Sequence, residues 1–111
     1  MINNFKTKIL TSIKSLNEIS LVLNKGVDIV DFKNPLEGAL GAFPVSKINY
    51  FLNKIPKKQK TSATIGDITS IKSIEKKVYL LSKTNVDFIK IGFFFDDKKI
   101  NYLKNLKKKI K

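Results

Sequence analysis

The sequence contains no cysteine, histidine, arginine or tryptophan. Without cysteine there are no disulfides, thiolate metal sites or sulfur nucleophiles. Without histidine the chain lacks the usual acid–base group for neutral pH and the commonest zinc ligand. Without arginine it lacks the bidentate fork by which proteins grip phosphates and guanine edges. No uninterrupted apolar run approaches the ~20 residues of a membrane span, and the first residues lack a signal peptide's apolar core and cleavage site. The expected setting is cytoplasmic. Chemistry must come from lysine, carboxylates, hydroxyls, tyrosine or backbone.

What is present is lysine. All 22 basic residues are lysines, set against 9 acidic ones for a net charge of +13. Such a balance invites a nucleic-acid reading, but Lys, Ile and Asn make up 47 of the 111 residues, which AT-rich codon usage produces without selection for function. Seven lysines fall between Lys98 and Lys111. Only Tyr102 in that run could act as a stacking platform, so the run reads as a solvated helix face rather than a nucleic-acid patch. With 42% apolar residues in 111, the chain can build the core of one domain spanning 1–111.

Period-two and helical patterns alternate along the chain. Lys8–Ile13 reads as a strand. Ser15 and Glu18 have capping-box spacing before a helix with Leu16, Ile19 and Leu23 on one face, ending at Gly26. Val27–Phe32 is a second strand, followed by a loop over residues 33–43. Pro44 then suits the first position of a helix carrying Val45, Ile48, Leu52 and Ile55. Thr61–Ile65 is a third strand, and Ile71, Ile74, Val78 and Leu81 mark a third helix. Val86–Phe95 is a fourth strand, with Asp96 or Asp97 capping a last helix that bears Ile100, Leu103, Leu106 and Ile110.

Four consecutive βα units predict an α/β fold with a parallel sheet, of either the doubly wound or the (β/α)8 barrel type. No dinucleotide fingerprint or P-loop is present, which removes the nucleotide-binding version. No sequence repeat of 20–50 residues stands out beyond the alternation itself.

Functional groups of parallel sheets gather at the C-terminal strand ends. There the second strand offers Asp31 and Lys33 on one face, with Phe32 on the other. The third offers Thr64 and Asp67, and the fourth offers Lys90. Lysines within apolar strands are costly to bury. The expectation is that Lys33 and Lys90 lie on neighbouring strands. An amine near a second cation sheds its proton more readily and attacks carbonyls, while a second lysine or a carboxylate moves the proton. This is lyase or aldolase logic with a small carbonyl compound as substrate, and it needs neither metal nor cofactor.

Three ordered blocks carry a family resemblance. Gly26-Val27-Asp28-Ile29-Val30-Asp31-Phe32-Lys33-Asn34-Pro35 continues into Glu37-Gly38-Ala39-Leu40-Gly41-Ala42-Phe43-Pro44. Ser62-Ala63-Thr64-Ile65-Gly66-Asp67 follows, and then Asp87-Phe88-Ile89-Lys90-Ile91-Gly92-Phe93-Phe94. From about Lys8 onward the chain resembles the N-terminal half of the (5-formylfuran-3-yl)methyl phosphate synthase family. That resemblance implies four of the eight βα units of a TIM barrel. It also implies a lyase of methanofuran biosynthesis that condenses two glyceraldehyde 3-phosphate molecules and releases phosphate and water. Carried over by motif, Lys33 is the Schiff-base lysine, Lys90 the proton acceptor and Asp31 its neighbouring carboxylate. Asn34, Ser62, Thr64 and Asp67 are expected to contact the substrate. The segment Ile68-Thr69-Ser70-Ile71 departs from the family pattern by lacking a proline. Later family strands carry further groups, so activity is expected to need a second copy or a separate C-terminal half. The other classes in play are a non-catalytic half-barrel acting as an interaction module and, behind it, a basic nucleic-acid-associated protein.

Overall fold

The computed structural model describes residues 6–37, 41–67 and 70–92, together with Lys104, Leu106 and Lys108. Its elements are β1 (Leu10–Ile13), α1 (Leu16–Val22), β2 (Ile29–Phe32), a 3-10 turn at Pro35–Glu37, α2 (Val45–Leu52), β3 (Lys60–Thr64), α3 (Ile71–Ser82) and β4 (Phe88–Lys90). The strands form one parallel sheet in the order β1-β2-β3-β4. α1, α2 and α3 all contribute to one buried cluster with the strands, so the helices share one face of the sheet.

That face is the core. Ile13, Val30, Phe32, Ala63 and Ile65 from the strands join Ile19 of α1, Ile48 and Phe51 of α2, and Ile74, Val78 and Leu81 of α3 in one buried cluster. Phe51 is its hub, stacked on Phe32 with centroids 5.4 Å apart and edge-on to Phe43 at 5.3 Å. By alternation the opposite face carries Leu10, Ser12, Ile29, Asp31, Ser62, Thr64, Phe88 and Lys90. No helix among the described residues is long and apolar enough to cross a membrane.

Local details depart from expectation where backbone geometry outweighs pattern. Ser15 is extended at the start of α1 but makes no side-chain cap. Glu18 reaches one residue further back and accepts the Lys14 N–H at 2.7 Å, so the capping box is displaced. α1 stops at Val22 rather than running to Gly26, because Leu23 turns extended and Asn24 enters the left-handed region at φ 67°. Gly26, at φ 80°, serves the turn that follows. Pro44 caps α2 from outside the helix, with ψ 149°, instead of opening it. Ile55 lies beyond α2 yet is still buried. β1 begins at Leu10, two residues later than the pattern suggests, and β3 begins one earlier, at Lys60. The end of the fourth strand and nearly all of the last helix lie outside the described residues, although Leu106 is helical and buried.

Two aspartates join the strands at their N-terminal ends. Asp28 accepts the Ile9 N–H at 2.7 Å, and Asp87 accepts the Thr61 N–H at 2.9 Å. Each also donates its own N–H back, to the Ile9 and Thr61 carbonyls respectively. The local sequences echo one another: Val27-Asp28-Ile29-Val30-Asp31 against Val86-Asp87-Phe88-Ile89-Lys90, and Thr11-Ser12 against Thr61-Ser62. In this echo Asp31 and Lys90 occupy equivalent positions.

Candidate active site

The face opposite the helices carries a polar cluster at its centre. Ser12, Asp31 and Ser62 stand in register across β1, β2 and β3. In-register residues of parallel strands project to the same side, so both hydroxyls converge on the carboxylate. Asp31 Oδ1 accepts the Ser62 hydroxyl at 2.6 Å, and Asp31 Oδ2 accepts the Ser12 hydroxyl at 3.0 Å. Lys90 supplies the charge, its Nζ lying 2.9 Å from Asp31 Oδ2. Asp31 is fully buried, while the Lys90 side chain is 38% exposed.

This pair corrects one expectation. β2 and β4 are not neighbours, because β3 runs between them. Adjacent strands lie ~4.8 Å apart, so the two backbones are separated by roughly 10 Å. Lys90 is in register with Thr64, so its stem passes over β3 between Thr64 and Ser62. Small side chains at those positions leave room for the crossing.

Lys33 directly follows β2. Its N–H extends the ladder by donating to the Ile13 carbonyl at 3.1 Å. Alternation puts its side chain on the Asp31 side. Among the described residues its ammonium has no hydrogen-bond or ion-pair partner. It lines an open pocket of about 250 Å³ together with Ser12, Ile13, Lys14, Glu18 and Pro35. Lys14, Lys33 and Lys90 against Glu18 and Asp31 leave this end of the sheet net positive. That suits an anionic ligand, and the unpaired amine is a candidate nucleophile.

The other expected residues take different positions. Ser62 is buried beneath the pair as a hydrogen-bond donor to Asp31. Thr64 is buried, and its Oγ1 accepts the Gly66 N–H at 3.2 Å. Asn34 shapes the loop: its Oδ1 accepts the Leu36 N–H at 3.2 Å, and its own N–H donates to the Gly41 carbonyl at 3.0 Å. Asp67 is exposed at the turn after β3. Asn34 and Asp67 thus stand outside the Asp31 cluster. Ser12 was missed. Its signal was the repeated Thr-Ser pair in β1 and β3, which acquires meaning only once Asp31 is known to lie between them.

A larger recess of about 400 Å³ lies at the opposite strand ends, lined in part by Gln59, Thr61, Asn85 and Asp87. Gln59, Thr61 and Asp87 are engaged in structure there. Gln59 Nε2 donates to the Val27, Asp28 and Lys60 carbonyls, and Asp87 holds Thr61.

The 4-HFC-P synthase family model matches residues 9–111. The chain belongs to this family. It is 33% identical over 91 residues to a Methylorubrum extorquens protein provisionally named (5-formylfuran-3-yl)methyl phosphate synthase, covering 82% of the chain and 38% of that relative. It is 29% identical to the (5-formylfuran-3-yl)methyl phosphate synthase of Methanopyrus kandleri, over 80% of the chain and 38% of the relative. With the Methanococcus maripaludis synthase it shares 30% identity over 93% of the chain and 45% of the relative. The chain thus spans less than half the length of these family members. Lys33, Asp31 and Lys90 all lie within the matched segment.

Proposed function

We propose that this synthase-family chain, residues 1–111 forming one domain, is the N-terminal half of a (β/α)8 barrel whose completed form makes (5-formylfuran-3-yl)methyl phosphate from two glyceraldehyde 3-phosphate molecules. The observation that carries this reading is the arrangement at the strand ends: an unpaired Lys33 amine on the same sheet face as a Lys90–Asp31 ion pair. Lys33 attacks the triose phosphate carbonyl to give a carbinolamine, which loses water to become an iminium. The iminium acidifies the adjacent C–H, and Lys90 takes that proton. Later steps release phosphate.

Assembly follows from the same face. Among the described residues β1 and β4 are the sheet edges, and Leu10 and Phe88 on the uncovered side are 45% and 50% exposed. Unpaired parallel edges flanked by apolar side chains favour completion by further strands, from a second copy or from the missing part of the family sequence. This also keeps a second reading in view, in which the half-barrel serves assembly without turnover.

Borohydride trapping tests the proposal. The full chain is incubated with glyceraldehyde 3-phosphate or dihydroxyacetone phosphate, alone and with the portion of a full-length relative that lies outside the matched segment. Reduced adducts are then mapped by peptide mass. Enrichment at Lys33 is expected, with loss in Lys33→Arg because a guanidinium stays protonated. Lys90→Ala should keep some adduct and lose turnover. Labelling spread over lysines in proportion to exposure, in both forms, would overturn the reading.

A further inference from the structure

Lys90 meets the buried Asp31 carboxylate as an ammonium, and an ammonium cannot accept a proton. For Lys90 to act as a base, one proton must first leave the ion pair. Asp31 Oδ2 receives both Lys90 Nζ, at 2.9 Å, and Ser12 Oγ, at 3.0 Å, so one oxygen joins the lysine to the serine. Ser62 occupies the other oxygen and is itself buried, which closes that route. Ser12 is exposed and lines the pocket that holds Lys33. Among the described residues Ser12 is therefore the group that both touches Asp31 and opens onto the Lys33 pocket.

We infer that Ser12 is the proton-transfer link between the Lys90–Asp31 pair and the substrate on Lys33, an inference that rests on the Schiff-base reading above. The step balances. Lys90 Nζ passes a proton to Asp31 Oδ2, which becomes a hydrogen-bond donor. With Oδ2 protonated, the Ser12 hydroxyl turns its proton from Asp31 toward the substrate, so that Asp31 gives its proton to Ser12 Oγ while the Ser12 hydroxyl gives its own to the leaving hydroxyl of the Lys33 carbinolamine. The C–O bond breaks, water departs, and the Lys33 nitrogen lone pair forms the C=N bond. Asp31 is again a carboxylate, and Lys90 is left as a free amine ready to take the proton next to the iminium carbon. Dehydration of the carbinolamine and priming of the base are thus one event. A hydroxyl serves because it donates and accepts through a single atom.

The test follows the rate of Lys33 imine formation with dihydroxyacetone phosphate, by borohydride quench, in whichever form of the full chain labels Lys33. Positioned proton transfer contributes typically 10²–10⁴-fold, so Ser12→Ala should slow imine formation about 100-fold. Ser12→Thr, which keeps the hydroxyl, should restore most of that rate. A rate measured in H2O–D2O mixtures should curve with deuterium content, as expected for several protons moving together, and this reading needs no variant. An unchanged rate in Ser12→Ala, or a linear isotope response in the wild type, overturns the link and leaves the Schiff-base reading standing. Absence of Lys33 labelling in every form overturns both.

Discussion

Replacing Lys90 by methionine keeps most of the stem that crosses β3 but removes its charge. Asp31 is then a fully buried carboxylate held only by the Ser12 and Ser62 hydroxyls. Removing one partner of a fully buried ion pair costs about 3–5 kcal/mol, and a hydrogen bond to a charged group is worth about 1.5–3 kcal/mol. Lys90 is 38% exposed, so water already screens its side of the pair, and two neutral donors remain on the carboxylate. The expected loss is about 2 kcal/mol. In urea unfolding followed by circular dichroism this lowers the midpoint by about 1 M, and in a thermal scan by roughly 10 °C. Asp31→Asn removes the same charge interaction from the other side. The double variant should be less destabilised than the sum of the singles by at least about 1 kcal/mol. A loss below about 0.5 kcal/mol for Lys90→Met, or additive singles, would falsify the claim that Lys90 stabilises the buried Asp31 carboxylate.

Three further outcomes follow from the packing. Phe51→Ala empties the centre of the aromatic cluster with Phe32 and Phe43 and should cost about 3–5 kcal/mol by denaturant titration, whereas a cost under 1 kcal/mol would mean the cluster is not the core. Gly41→Ala places a Cβ against the Asn34 carbonyl, so the loop after Lys33 must shift. Stability should drop by about 1–3 kcal/mol, and Lys33 trapping should fall with it; an unchanged adduct yield would disconnect loop from site. Ser62→Leu fills the space over which Lys90 crosses and removes a donor to Asp31; it should abolish the Lys90–Asp31 coupling in the double-mutant cycle, and persistence of that coupling would show that Lys90 takes another route.

The sequence by itself determined the order of strands and helices among the described residues, though not their exact ends, and which side of each the core claims. Phe32 and Ile48 fall inward, and Asp31 falls on the opposite face, because periods of 2 and 3.6 are properties of the local backbone. It also carried the family, through contiguous motifs around Lys33 and Lys90. Periodicity does not encode lateral order. That β3 separates the two lysine-bearing strands, and that Asp31 is bonded by residues of β1, β3 and β4 at once, depends on ladder register, which sums hydrogen bonds between segments far apart in the chain. The same limit hid Ser12, an ordinary strand serine until the sheet sets it beside Asp31. It also misread Ser15 and Glu18, whose capping spacing was correct while the chain entering α1 turned so that Glu18 met Lys14 instead. Residue spacing along the chain decided the elements and their faces. The packing of four strands side by side decided which charges meet.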